Sequence, residues 1–429
     1  MLSHILAPAL ARRGIHYGWA MVVVTFLTAL CTSAAMSIPG VLLVPLRTEF
    51  GWATAAVSAP FGLRILLYGM MAPFAAALMQ RYGLRTTIST ALVLIIVGLG
   101  LATQVSALWQ LWLTWGVLIG LGAGMTAMVL AATVASRWFT ARRGLVLGLL
   151  GASTATGTLV FLPVAAWLTE HFGWRLAVLP AGIAAAVCLL LVLLVMCDHP
   201  ADLGLAPYGE TTVLPVPVRA DSGNAVRLSF EALGVASHSR VFWVLFGTFL
   251  VCGLSTSGLV GQHFIPLCHD FGMPEVAAAS VLAIMGVCDF FGTIGSGYLS
   301  DRFDNRWLLA WYYGFRGLSL IWLPFSNFSI YGLSLFAVFF GLDFIATVPP
   351  TVRMTAQEFG RERAGLVFGW LFFAHQLGGA IAATGAGVSR DVLSSYLPAF
   401  FTAGVVCLLA AVSFALLRKP ASVVVAAAH

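Results

Sequence analysis

Charge is what this chain has least of. Asp, Glu, Lys and Arg make up 9% of its 429 residues, against 60% apolar ones, and the mean hydropathy is +0.97. A water-soluble fold of this size needs far more charge to cover its surface, so a soluble enzyme or binding domain is excluded. Cysteines are few, at positions 31, 188, 197, 252, 268, 288 and 407. None stands in a C-x-x-C or other zinc-like spacing, so neither a disulfide framework nor a metal site is indicated. The glycine clusters lack a preceding strand and a following Lys-Ser/Thr, so they are not phosphate loops. No activated Ser, Cys or metal constellation is present, and neither enzymatic activity nor a cofactor is expected. The first apolar run is too long for the h-region of a signal peptide.

In place of charge there are twelve long apolar stretches. They lie near 18–45, 54–80, 86–103, 107–135, 143–168, 174–197, 241–267, 276–300, 306–325, 328–352, 364–388 and 396–418. Each is about 20 residues or more, enough to cross a hydrocarbon core of roughly 30 Å as a helix. The chain also repeats itself at a constant offset of 221 residues. Pro45-Leu46-x-x-Glu49-Phe50-Gly51 returns as Pro266-Leu267-x-x-Asp270-Phe271-Gly272, Arg81 and Arg85 return as Arg302 and Arg306, and Gly144-Leu145-Val146-x-Gly148 returns as Gly365-Leu366-Val367-x-Gly369. The expected fold is an all-α membrane protein of twelve transmembrane helices in two pseudo-symmetric six-helix bundles. Residues 1–197 form the first bundle, 198–240 a Pro-, Gly- and charge-rich linker, and 241–429 the second bundle with a short tail. Small residues at intervals of three or four let such helices approach closely in lipid.

The net charge of +6 would suit a nucleic acid, but its placement points to a membrane instead. With both termini cytoplasmic, 17 of the 22 Lys and Arg fall on the inner side, and only Arg47, Arg175 and Arg390 on the outer. That bias predicts an N-in, C-in protein of a bacterial inner membrane, with no nucleic-acid partner. A monomer is expected.

At the loop after the second stretch, Leu78-Met79-Gln80-Arg81-Tyr82-Gly83-Leu84-Arg85 resembles the signature loop of the major facilitator superfamily. Gly297-Tyr298-Leu299-Ser300-Asp301-Arg302-Phe303-Asp304-Asn305-Arg306 is a second and better copy. The resemblance implies that Arg81, Arg85, Asp301, Arg302 and Arg306 form a cytoplasmic latch between helices. A narrower likeness is to monocarboxylate and oxalate/formate-type porters. It is carried by Tyr17-Gly18-Trp19, by Trp138-Phe139-x-x-Arg142-Arg143-Gly144, by His263-Phe264-Ile265-Pro266 and by Asp289, which falls where that family has an intramembrane Asp. Thr293 stands where the family carries an Arg one turn later.

Four charges interrupt apolar stretches: Arg64, Asp289, Arg316 and Asp343. At mid-helix each costs about 2.5–3.5 kcal/mol to insert, so each must face a partner, the bundle interior or water. Counted from Asp301, Arg306 and Arg353 at the helical rise, Asp289, Arg316 and Asp343 share a level roughly 15–18 Å deep, at the midplane. Two carboxylates with one Arg become neutral on taking up one proton, which makes the trio the candidate proton-coupling group. The alternative is a static Asp289–Arg316 bridge. Arg64 has no evident acid in its own half and suits a substrate carboxylate, unless a backbone carbonyl or Glu49 holds it. Tyr68, His263, His375 and Gln376 complete the candidate substrate-binding set. Pro349-Pro350 is expected to kink the tenth stretch.

The expected activity is secondary transport of a small organic anion, monocarboxylate-like and proton-coupled, by alternating access. Two alternatives are efflux of a drug-like or metalloid compound, with Cys252, Cys268 and Cys288 as soft ligands, and a non-transporting membrane sensor. A sensor would carry an added signalling segment, and the stretch after Lys419 is short.

Overall fold

The computed structural model describes residues 3–126, 128–213 and 222–417. Apolar runs with no water to satisfy their backbone become helices, because each peptide group then finds its partner inside its own segment. Among the described residues eleven helices are long and apolar enough to cross a bilayer, and they make this a multi-pass membrane protein. They are Gly18–Phe50, Thr54–Ala72, Leu84–Ala102, Leu108–Trp138, Leu145–Phe172, Trp174–Val195, Arg240–Asp270, Glu275–Arg302, Tyr331–Gly360, Arg363–Leu393 and Leu397–Leu416. The remaining expected stretch, Asn305–Trp322, is an 18-residue helix that falls short in apolarity. Asn305, Arg306 and Arg316, with a row of Trp and Tyr, dilute its Leu and Ile.

Local chemistry sets the breaks. Ser239, Asp304 and Ser329 cap helix starts with their own side chains. Gly51, at φ 67°, ends the first long segment in the left-handed conformation that glycine adopts without cost. Pro349-Pro350 interrupts the tenth stretch, as expected, at a turn rather than by a bend within one continuous helix. The break lies just before it, in the turn 344–347 between Ile330–Asp343 and the helix beginning at Val348, so Pro349 occupies a first-turn position where no N–H is missed. That next helix runs on to Leu393 through a sharp bend at Gly360 (φ 78°). Two short π-helical segments, Trp112–Ile119 and Leu254–Val260, widen the fourth and seventh stretches.

Two apolar cores form. One draws on residues between Tyr17 and Cys197, the other on residues between Ala232 and Phe414 together with Val41, Leu162 and Ala166. They meet along a seam. Thr54–Arg81 packs against the Val348–Leu393 helix, Arg143–Phe172 against Glu275–Arg302, and Pro39–Phe50 against Gly261–Asp270. Thr54–Arg81 and Glu275–Arg302 are both 28 residues long and begin 221 positions apart, so the first two seam pairs exchange under the sequence repeat. Asn305–Trp322 packs on Leu397–Leu416.

The connection after Val195 is less open than its composition predicts. Tyr208 lies beside Phe139 in a short parallel bridge and donates its N–H to the Trp138 carbonyl at 2.8 Å. Further on, the helix Ser222–Ala236 touches both Thr54–Arg81 and the Val348–Leu393 helix. Trp370 Nε1 donates to the Ser229 carbonyl at 2.9 Å.

Candidate functional site

Asp343 is the last residue of the Ile330–Asp343 helix, and the turn that follows leaves carbonyls without helical donors. Arg316 supplies the donors. Its Nη2 reaches the carbonyls of Asp343 at 2.5 Å and Phe344 at 3.2 Å, its Nε donates to Asp343 Oδ2 at 2.7 Å, and its Nη1 donates to Cys252 Sγ at 2.8 Å. A cation at a helix C-terminus is also favoured by the helix dipole. The alternative Asp289–Arg316 bridge is not formed, and Arg316 pairs with Asp343 instead. Asp289 holds the other end of the same turn, its Oδ1 accepting from Ile345 N at 2.8 Å and from Thr293 Oγ1 at 3.1 Å. Thr293 is thus a donor to Asp289. All three charged side chains are buried. Asp343 Oδ1 is buried and has no hydrogen-bond partner.

Arg64 lies on Thr54–Arg81 and is completely buried. Pro39 explains one of its contacts: lacking an N–H, it leaves the Ala35 carbonyl without its i+4 donor. Arg64 Nη1 donates to that carbonyl at 3.1 Å and to the Met36 carbonyl at 2.7 Å. Its Nη2 donates to Gln262 Oε1 at 3.1 Å, on the other side of the seam. Nε has no partner. Trp115 lies under the guanidinium at 6.0 Å. Glu49 is engaged elsewhere, by Arg175 at 2.6 Å and by Trp174 Nε1 at 2.7 Å. Among the described residues, no carboxylate pairs with Arg64.

Tyr68, one turn from Arg64 toward the linker side, meets Phe372 across the seam, with ring centroids 5.8 Å apart. The ring of Phe372 lies parallel to that of His375, and Phe249 packs on His375 at 5.0 Å. His375 is half-buried, its Nε2 lies 3.5 Å from Thr256 Oγ1, and its Nδ1 has no partner. Gln376 fills the space left by the absent side chain of Gly69. Tyr68, His375 and Gln376 thus converge on the seam. His263 lies elsewhere. It is fully buried, with Nε2 donating to the Ala383 carbonyl at 2.7 Å and its ring 5.2 Å from that of Tyr396.

The linker-side arginines have separate partners. Asp301 pairs with Arg353, while Arg306 pairs with Asp304 at 2.7 Å and donates to the Leu417 carbonyl at 2.6 Å. Arg302 lies over the Tyr298 ring at 4.2 Å, and Arg81 over Tyr82 at 5.2 Å. Arg85 donates its backbone N–H to Asp198 at 2.9 Å and its side chain to the Leu193 carbonyl. Gln80 lies among side chains outside the described ones.

The seam is tight on the side away from the linker and at mid-depth, where Gln376 lies against Gly69. A methyl group on Gly40 would stand 3.2 Å from the Gly261 carbonyl, one on Gly62 2.6 Å from Thr384, and one on Gly387 2.8 Å from Ser58. On the linker-side turns of the seam helices, Gly148, Gly151, Gly295, Gly297, Gly365 and Gly369 have nothing within 4 Å. Gln262 was passed over as a site residue in the sequence, as were two acids on the tight side, Glu170 and Asp391. Glu170 and Asp391 stand 221 residues apart, so a fuller comparison of the repeats would have found them.

Residues 25–383 and 297–428 match the family model described as Major Facilitator Superfamily. The chain is 24% identical over 387 residues to the MFS-type transporter YcxA of Bacillus subtilis, covering 88% of this chain and 90% of that one. It is 26% identical over 399 residues to monocarboxylate transporter 13 of Rattus norvegicus, covering 90% and 86%. It is 25% identical over 410 residues to monocarboxylate transporter 12-B of Danio rerio, covering 90% and 84%.

Proposed function

The chain belongs to the major facilitator superfamily, and on that premise we propose that it carries a small, monocarboxylate-like organic anion by proton-coupled alternating access. That it is a membrane transporter of a small molecule, and not an enzyme, follows from the family itself. The finer reading has twelve spanning helices, Asn305–Trp322 included, in two six-helix bundles (1–197 and 241–429) joined by residues 198–240. Both termini face the cytoplasm, the membrane is a bacterial inner membrane, and the protein works as a monomer.

One observation carries the substrate class. Arg64 is a fully buried guanidinium with an unpartnered Nε and no acid beside it among the described residues. A buried cation without a counter-ion is costly, and a substrate carboxylate entering the seam would supply the missing charge. Tyr68, His375 and Gln376 would line the route next to Arg64 on its linker side. His263 would shape the wall through Ala383. The rat and zebrafish relatives, both named monocarboxylate transporters, support a monocarboxylate.

Proton coupling rests on Asp289, Asp343 and Arg316. With one guanidinium and two buried carboxylates, one acid carries a proton in the neutral state, and Asp343 Oδ1 has no other partner. Opening and closing of the seam would alter water access to that oxygen. Asp301, Arg302, Arg306, Arg81 and Arg85 would act as the latch that forms when the linker side closes.

Flux of pyruvate- and lactate-sized anions into proteoliposomes, with and without a pH gradient, tests the proposal. An acid gradient should drive uptake in the parent. Arg64→Gln should lose anion flux while still reaching the membrane. Asp289→Asn and Asp343→Asn should retain exchange and lose the response to the gradient. Parent-like anion flux in Arg64→Gln would remove the substrate assignment, and parent-like gradient response in both Asp variants would remove the coupling.

A further inference from the structure

Two helices on the side away from the linker begin without a cap of their own. At Thr54–Arg81 the cap position is Ala53, and at Glu275–Arg302 it is Pro274; neither side chain accepts a hydrogen bond. First-turn N–H groups left in this way need acceptors. Each helix gets one from across the seam. Asp391 accepts from Thr54 N through Oδ1 at 2.9 Å and from Ala55 N through Oδ2 at 2.7 Å. Glu170 accepts from Val276 N through Oε1 at 3.0 Å.

The two contacts are copies of one another. Glu170 and Asp391 stand 221 residues apart, as do Ala55 and Val276. Each acid stands in the last turn of its own helix, Arg143–Phe172 or Val348–Leu393. A negative charge there opposes the dipole of its own helix, whereas at the start of the facing helix it is favoured. The acids therefore serve the facing helix rather than the one that carries them. The surroundings differ between the copies: Arg390 beside Asp391 pairs with Asp270 at 2.7 Å, while Glu170 faces the carboxyl of Glu275.

We infer that Glu170 and Asp391 are a pair of clips that hold the far side of the seam shut, each joining the C-terminal end of a helix in one half to the N-terminus of a helix in the other. The far side cannot open without breaking all three hydrogen bonds, whereas the linker-side glycines have no such contact across the seam. The clips thus bias the resting protein toward opening on the linker side. This inference rests on the alternating-access reading above, but its test reads conformation rather than flux.

The experiment places spin labels at Thr48→Cys and Val392→Cys, two exposed far-side positions on opposite sides of the seam. The full chain carries Cys288→Ser, because the other native thiols are buried. Pulsed dipolar distances in the parent should show one short population. Glu170→Ala should raise the ratio of long to short distances about tenfold, the ratio that one charge-assisted hydrogen bond supports, Asp391→Ala, which removes two, by more, and the pair together by more again. Thr54→Pro removes one N–H, and Ala53 already has the extended backbone a following proline requires (ψ 147°). It should shift the distances in the same direction by less. Glu49→Ala, which removes an acid paired within its own half, should leave them unchanged. Superimposable distances in the parent and the Glu170→Ala/Asp391→Ala protein, or an equal shift from Glu49→Ala, would overturn the inference. Loss of anion flux in Arg64→Gln would stand or fall independently.

Discussion

Substituting Arg316 by methionine keeps much of the side chain's length and removes every donor. In the native protein that guanidinium holds Asp343 Oδ2 and the carbonyls of Asp343 and Phe344, in a turn that offers them little else. Each buried acceptor left without a donor costs about 1–3 kcal/mol, so the two carbonyls alone account for roughly 2–6. The stranded carboxylate escapes part of its own penalty by taking a proton. Asp343→Asn is a milder change. Its amide oxygen still accepts from Nε, both carbonyls keep Nη2, and the loss is mainly charge assistance, about 1–2 kcal/mol. Arg316→Met combined with Asp343→Leu relieves the carboxylate but not the carbonyls, so it should recover only part of the single Arg316 loss. The order of stability should be parent, Asp343→Asn, the double variant, then Arg316→Met. Unfolding in detergent can be followed with a thiol-reactive fluorophore, because all the cysteines except Cys288 are buried until the fold opens. If Arg316→Met melts no lower than Asp343→Asn, the turn does not depend on Arg316 and the acid is the anchor.

Three further expectations concern packing, pH and one hydrogen bond. A Cβ at Gly253 would overlap the His375 carbonyl, and one at Gly378 the Leu250 carbonyl. Gly253→Ala and Gly378→Ala should therefore lower folded yield sharply on size exclusion, while Gly369→Ala, in open space, should not. Burial, aided by the nearby Arg137 guanidinium, holds the His199 imidazole below its ordinary range. The unfolded chain then takes up that proton first as pH falls. The stability this histidine contributes is present above about pH 6.5 and is lost as pH drops through the lower folded value, and His199→Gln should flatten that part of a melting-temperature profile. Tyr17→Phe removes a buried 2.7 Å bond to the Val195 carbonyl and should cost about 1 kcal/mol in the same unfolding assay.

The long helices were legible because a bilayer imposes a length and leaves the backbone no partner but itself. The Asn305–Trp322 helix was found by the same rule, although Arg306 and Arg316 weaken its signal. That Arg64, Asp289, Arg316 and Asp343 are buried could be read from their settings; their pairing could not. Depth along a helix gives height but not rotation, and the choice between Asp289 and Asp343 depended on a turn at 344–347 that no Gly, Pro, Asn or Asp announces. Pro349-Pro350 marked the break in the tenth stretch but not its form, since a proline in a first turn begins a helix as readily as one in the middle bends it. Arg64's carbonyl partner was within reach, because Pro39 must release the Ala35 oxygen four residues earlier. Gln262 was not, since it comes from the other side of the seam. His263 and His375 look alike in the sequence and differ only in what surrounds them, one a fully enclosed donor to a carbonyl and the other a half-buried ring on the seam.

The docked ends of the central connection set how much slack the two parts share. Tyr208 is fixed to the strip after Trp138, and the next anchorage, Ser229 against Trp370, lies in a helix that starts at Ser222. Roughly a dozen residues remain between Gly209 and that helix, a leash of at most about 40 Å when fully drawn out. Under the alternating-access reading, a tether of that reach would permit a hinge swing while limiting how far the two parts separate. Its limit would then be felt on the linker side, on the same face as Gly148 and Gly369.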